Sequence, residues 1–311
     1  MNSNRFAHKV ALLLIAVFSF SSIFAQHLSQ KDNEWRLVWS DEFNVNGRPD
    51  SRAWNYEHGF VRNHEAQWYQ SDNAYCKDGC LVIEARKEKR HYANPNYRAM
   101  SGDWAAKRKK IEYTSASINT AGKQEFLYGR VEVRAKIPTR SGAWPAIWLL
   151  GSGVDWPSCG EIDIMEFYRI GDGNGVPHIL ANACWGTDRQ WEAQWNSKAI
   201  PFSHFKAKDA KWAKRFHIWR MDWDEQSVRI YLDDELLNEI KQSEAVNGKL
   251  GGSVRQPFKR PMYLLLNLAL GGDHGGKIRG GFPMRYLIDY VRVYQKVGNS
   301  TDSVRVNQSG L

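Results

Sequence analysis

Apolar and polar residues alternate at a period of two along most of the chain between about residue 36 and residue 297. The pattern is clear in RLVWSDEF, CLVIEARKE, YGRVEVRAKIP, AWPAIWLLG, GEIDIMEFY, HILANACWG, RFHIWRMDW, SVRIYLDDELL, YLLLNLALGG and YLIDYVRVYQK. These segments are rich in β-branched and aromatic residues, and Gly, Asn, Asp or Pro separates them, so each reads as a strand followed by a turn. SVRIYLDDELLNEI reads as a hairpin closed at Asp233 and Asp234. No helical periodicity of comparable strength appears, apart from short turns near Asp209 to Lys214. Strands that follow one another without helices predict an all-β fold, either a two-sheet sandwich or a closed barrel. No linker, repeat or shift in composition interrupts the pattern, so one domain is expected over residues 27–297. The polar segment 298–311 is expected to be a disordered tail.

One strand breaks its own pattern. In CGEIDIMEFY, Glu161 and Asp163 alternate with Ile162 and Ile164, yet Glu166 lies five residues after Glu161, where strict alternation points into the core. An unpaired carboxylate buried there would cost several kcal/mol or stay protonated. A β-bulge near Met165 resolves the conflict, because one extra residue shifts the parity of everything after it. Glu166 then rejoins Glu161 and Asp163 on one face, and Phe167 returns to the core. Like charges held close push one carboxyl toward a raised pKa, which suits a proton donor near neutrality. Backbones four regular steps apart lie about 13 Å apart. On a curved sheet two inward-leaning glutamates end about 5 Å apart, the separation of a nucleophile and its partner acid, whereas an activated water needs roughly 6.5–9.5 Å. Spacing alone does not say which glutamate attacks. The plainer alternative is an exposed acidic strand face with no chemistry.

Composition sets the context. Arg5 and Lys9 precede an apolar run from Val10 to Phe20 and then SSIFAQ, the layout of a secretory signal peptide cut after Ala25. The run is too short to span a bilayer, which takes about 20 residues. A secreted, periplasmic or cell-surface location is therefore expected, with no membrane span. The net charge is +9, but the basic residues are scattered, with only short runs such as KRKK at 107–110. This argues against a nucleic-acid partner. Fourteen tryptophans must fill a large core or line a cleft. In CKDGC an Asp-Gly turn between Cys76 and Cys80 makes that pair a candidate disulfide. Cys159 and Cys184 carry no such local argument, and no spacing matches a zinc site.

The same residues carry a family resemblance. WSDEF, GRVEVRAKIP, GAWPAIWLLG, WPSCGEIDIMEF, LLLNLALGG and YLIDYVRVYQ stand in the order found in glycoside hydrolase family sixteen, whose active-site strand GEIDIMEF resembles. The resemblance implies a β-jelly-roll sandwich of two curved antiparallel sheets whose concave face is a glycan-binding cleft. It also implies that Glu161 is the nucleophile, Asp163 the assisting acid and Glu166 the general acid/base, with no cofactor for catalysis. Trp144 and Trp148, four apart on one strand, match tryptophans bordering the subsite beside the cut. Asn63 in RNHEAQWYQSDN matches an Asn that reaches the negative subsites, with Glu65 and Trp68 in the same segment. Asn267 interrupts an apolar strand, either to contact sugar or to bond within the core. Many relatives have a His near the end of the next strand; here Cys184 stands there, with Trp185 beside it as a further substrate contact. Relatives often hold a structural Ca²⁺ on the convex side. Asp289 matches its carboxylate, and Glu42 and Gly79 lie where carbonyl ligands would come from. The bland reading of Asp289 is an ion pair with an arginine such as Arg292.

Two functions follow. One is a monomeric retaining endo-glucanase acting on β-1,3-glucan or mixed β-1,3/1,4-glucan, with a galactan (agar, porphyran or carrageenan) as the alternative substrate. The other is a non-catalytic lectin on the same sandwich, which would have no need to crowd three acids. No cluster of arginines appears in the cleft segments, which favours a neutral glucan.

Overall fold

The structure, a computed structural model, describes residues 34–170, 175–297 and 304–306. The expected signal peptide and its cleavage site lie outside the described residues. In chain order the strands begin with β1 (Trp35–Asp41), β2 (Asn55–Tyr56), β3 (Gln67–Tyr69), β4 (Ala74–Lys77), β5 (Cys80–Ala93) and β6 (Lys110–Ser115). Next come β7 (Ser117–Asn119), β8 (Gln124–Phe126), β9 (Gly129–Lys136), β10 (Ala143–Gly151), β11 (Glu161–Ile170) and β12 (Val176–Gly186). The rest are β13 (Ala193–Pro201), β14 (His217–Trp223), β15 (Ser227–Leu232), β16 (Glu235–Lys241), β17 (Met262–Leu270), β18 (Met284–Lys296) and β19 (Val304–Val306). Among the described residues the longest α-helix, Phe202–Lys208, has seven residues.

The strands form two large sheets, so of the sandwich and barrel that the alternating pattern allows the structure is the sandwich implied by the resemblance. One runs β16-β15-β14-β9-β18-β5-β6-β3, with β1 added on β18 and β4 on β5. The other runs β13-β12-β11-β10-β17-β7-β2, with β8 and β19 attached through β17. All pairings are antiparallel except β3 with β6. Within the polar segment, Val304–Val306 pair with β8 as a short strand.

Alternation explains the layering. On β9, Val131, Val133 and Ala135 are buried while Arg130, Glu132 and Arg134 between them reach outward. Their apolar face meets Ile147, Leu149, Ile162, Phe167, Leu264 and Leu266 of the other sheet in one continuous core. β10 differs, being buried along nearly its whole length on both faces. One face meets the core and the other forms the floor of a cleft. The tryptophans divide accordingly: Trp54, Trp212, Trp219 and Trp223 lie in the core, and Trp144, Trp148, Trp156 and Trp195 line the cleft. Each fully buried aromatic side chain contributes about 1.5–3 kcal/mol of transfer free energy.

The expected Cys76–Cys80 disulfide is not formed, and all four cysteines are free thiols. Register gives the reason. Lys77 pairs with Cys80 and Cys76 with Leu81, so Cys76 faces the core and Cys80 the opposite side of the hairpin.

Candidate active site

The bulge is present. Ala146 pairs with Glu166 and Ile147 with Met165, but Trp148 pairs with Asp163, leaving Ile164 as the extra residue. On the other side of the strand, Asp163 pairs with Asn182 and Glu166 with Leu180, so Ile164 and Met165 oppose Ala181 alone. Both bulge residues are fully buried in the core. All three acids consequently face the cleft. The glycine just before them is also required, since Gly160 has φ +80° and an added Cβ would lie 2.7 Å from Pro257 and 2.9 Å from Phe258.

Residues directly opposed in an antiparallel ladder share a face, so the cleft floor is built in rows. Leu150, Glu161, Cys184 and Trp195 form one row across β10, β11, β12 and β13. Trp148, Asp163, Asn182 and Ser197 form the next. Asn267, Ala146, Glu166 and Leu180 form a third. The resulting cleft has a volume of about 600 Å³.

Each glutamate is held by an indole. Trp156 Nε1 donates to Glu161 Oε2 at 2.7 Å, and Trp144 Nε1 donates to Glu166 Oε1 at 2.8 Å. Asn182 Nδ2 donates to the other oxygen of Glu166 at 3.0 Å. Burial, opposed by the Trp144 bond and reinforced by the Glu161 charge, pushes Glu166 up to about 7. Burial also raises Glu161, opposed by bonds from Trp156 and Asp163 and by the positive charge of Arg62. Asp163 is raised well above the carboxylate range by burial and by the charges of its two neighbours. Its buried Oδ2 has no hydrogen-bond partner, so no donor there offsets the cost of charging the group. The acids therefore divide into a proton-holding Asp163, a Glu166 that titrates near neutrality, and a Glu161 with two donors and a cation directed at it.

The other expected residues fall in different places. Asn63 lines the cleft with Glu65, in a loop tied to β17 by Ala66 N donating to Leu270 O at 2.7 Å. Glu65 is buried, holding Gln67 Nε2 at 2.7 Å. Trp68 instead packs edge-on against Phe60, with centroids 5.4 Å apart. Asn267 lines the cleft, yet its amide is engaged: Trp148 Nε1 donates to it at 2.8 Å and it donates to Tyr69 Oη at 3.0 Å. Trp185 is a correction. It is only 7% exposed and packs in the core against Phe258, because its neighbour Cys184 takes the cleft-facing position of that strand. Burial pushes the Cys184 thiol well up, so it sits uncharged beside Glu161.

Several cleft residues escaped sequence reasoning. Asn182 lies two positions before Cys184, so parity alone places it on the same face. Trp156 sits in the turn before β11, where no periodicity applies. Tyr168 and His274 stack at 5.1 Å and adjoin Trp144. Trp195 lies on β13, AQWNSKAIP, whose polar edge-strand composition hides it from hydrophobic patterning.

The carboxylates at the expected Ca²⁺ site are paired with arginines in this structure. The Asp289 carboxylate is taken by the Arg134 guanidinium, not by Arg292, which binds Glu42 at 2.9 Å. No group of three or more His, Cys, Asp or Glu gathers among the described residues, so an ion at Asp289 would rest on the backbone carbonyls of Glu42 and Gly79. A cation at Asp289 would have to displace a guanidinium. We expect excess EDTA to leave the melting temperature unchanged; a drop on chelation that Ca²⁺ restores would contradict this.

A sandwich with a bulged triple-acid strand on the floor of an aromatic cleft defines a glycan-cleaving class of protein. The sequence profile of the glycosyl hydrolases family 16 matches residues 60–292, and the chain belongs to that family. It is 34% identical to a beta-glucanase of Rhodothermus marinus over 91% of this chain and 93% of that one. Other curated relatives are longer, and the chain spans 35–56% of three of them. The laminarinase catalytic domain of Thermotoga maritima superposes with a TM-score of 0.68 at 33% identity, covering 85% of this chain and 99% of that one. A structure from work on endo-acting O-glycanases of the human gut microbiota superposes with a TM-score of 0.72 at 35% identity, covering 84% and 91%.

Proposed function

We propose that the protein is an exported, monomeric endo-β-glucanase that cuts β-1,3-containing glucans with retention of anomeric configuration. The observation that carries this reading is the bulged strand β11, which faces a carboxyl titrating near 7 and a donor-stabilised carboxylate into one tryptophan-walled cleft. In the first step Glu161 attacks the anomeric carbon while the bond to the leaving oxygen breaks and Glu166 gives that oxygen its proton. In the second, Glu166 takes a proton from water, the water oxygen bonds the anomeric carbon, and Glu161 departs. Asp163 keeps its proton and shares it with Glu161, so the attacking group does not face a second full charge. Asn182 serves both states of Glu166: its Nδ2 donates to the carboxylate, and with the amide turned over its Oδ1, otherwise unpartnered, accepts from the acid. Asn63 and the β10 side of the cleft hold the sugars on the non-reducing side of the cut.

A neutral substrate fits the lining. Arg62 is the one arginine among the described cleft residues; it lies 5.1 Å over the Trp148 ring and its Nη2 is paired with Glu57, so the lining has no cluster of arginines for a sulfate. The resemblance to the structure from work on O-glycanases that initiate mucin breakdown favours a second reading, an O-glycan of mucin. A reducing-sugar assay on laminarin, barley β-glucan, lichenan, agarose, carrageenan and mucin glycans decides between them. We expect release from the β-1,3-containing glucans and an initial β-anomer by proton NMR. Release from mucin glycans alone would replace the substrate, and an initial α-anomer would overturn the two-step mechanism.

A further inference from the structure

Two large aromatic residues stand exposed on the hairpin joining β12 to β13: Trp191 at 59% and Trp195 at 43% exposure. An indole left in water forgoes the stabilisation of burial and is kept where something covers it. Only Trp195 of the two lines the cleft. Register fixes its place, because Trp195 pairs with Cys184, which pairs with Glu161. It therefore lies in the same row as Glu161, two strands away, or about 10 Å at the usual strand spacing. That is too far to touch the sugar being cut and near enough for a neighbouring ring. Ser197, two residues on and also lining the cleft, adds a hydroxyl on the same face. Asn63 lies on the opposite side of β11, beyond β10 and β17.

We propose that Trp195, with Ser197 beside it, is a binding platform for a neutral pyranose on the leaving-group side of the cut. This rests on the reading above that places the non-reducing sugars toward Asn63. The indole face stacks on the C–H face of the ring, and the serine hydroxyl bonds one of its hydroxyls. The platform makes the enzyme favour cuts inside a chain, and the same sugar serves as an acceptor when it replaces water in the second step.

The test compares wild type, Trp195→Ala, Trp195→Phe and Trp191→Ala on two substrates. One is whichever panel polymer the wild type cuts, and the other is an aryl glycoside of the same sugar, whose leaving group is not a sugar. Trp195→Ala should lower kcat/KM on the polymer about tenfold, the size of one aromatic stacking contact, chiefly through KM. Both enzymes should cut the aryl glycoside at rates within about twofold of each other. Trp195→Phe should recover most of the loss, and Trp191→Ala should match wild type throughout. Equal losses on both substrates would show a merely structural role and overturn the platform, as would a Trp195→Ala variant indistinguishable from wild type on the polymer. Failure of the glucanase reading looks different, since there the wild type itself releases nothing from the glucans.

Discussion

Glu161→Gln and Glu166→Gln should each lower kcat by about 10²–10⁴-fold, with the fold retained, because each removes one of the two groups that divide the displacement. The smaller variant Glu161→Gly should regain turnover in azide and yield a glycosyl azide of inverted configuration, since azide fills the place of the missing carboxylate. Glu166 adds a pH signature. Its proton must be present for the first step, so wild-type activity should fall as pH rises through about 7. The acid limb should appear where Glu161, itself raised above the ordinary glutamate range, takes up a proton. Stability carries the matching sign. A carboxyl whose folded pKa lies above its unfolded value binds more protons in the native state, so stability is lost as pH rises between about 4.5 and about 7. Glu166→Gln cannot ionise and escapes that loss. Its amide can donate to Asn182 Oδ1 and accept from Trp144. The variant should therefore melt above wild type at pH 8 and gain less at pH 5. Equal melting temperatures for both proteins at both pH values would show that Glu166 is not raised.

Inserting an alanine after Met165 should abolish activity. With Ile164 and Met165 already side by side in the core, one more residue turns Glu166 inward and sends Phe167 out to the cleft. A carboxyl then enters the space Phe167 shares with Phe202, and a buried acid without a partner costs several kcal/mol. Deleting Met165 is the contrasting case. It leaves Glu161-Ile-Asp-Ile-Glu in strict alternation, so Glu166 keeps its face and Phe167 keeps the core. The deletion variant should fold with reduced stability, because the core loses a fully buried methionine, worth about 2–5 kcal/mol in comparable truncations. It should retain measurable hydrolysis. A dead deletion beside an active insertion would show that parity is not what places the acid.

Much of this molecule was legible before folding was considered. Period-two alternation placed β9, β11 and β18, because a sheet covered on one side imposes the same parity on every residue it buries; β10 and β17, buried on both faces, read as strands from their short apolar runs between turn residues. The misfit of Glu166 to that parity marked the bulge and so the site. Asn182 was equally within reach by the same parity, two residues from Cys184. The rest depended on which strands become neighbours. Trp185 pairs its side chain with the core only because β12 lies against β11 in a register that gives the cleft to Cys184. Asp289 meets Arg134 rather than Arg292 because a bulge in the β18–β9 ladder falls between Ile288 and Tyr290. Cys76 and Cys80 stay apart because the hairpin register sets them on opposite faces. Trp195 sits on an edge strand buried on neither face, and such a strand carries no hydrophobic period to read. The chain by itself determined the all-β class and the three acids, since both follow from local periodicity and its one violation; the choice of sandwich over barrel came from the family resemblance. Tertiary structure alone decided the partners of those acids, the fate of each cysteine and arginine, and the far wall of the cleft, because contacts between distant segments depend on register across strands, which no local pattern encodes.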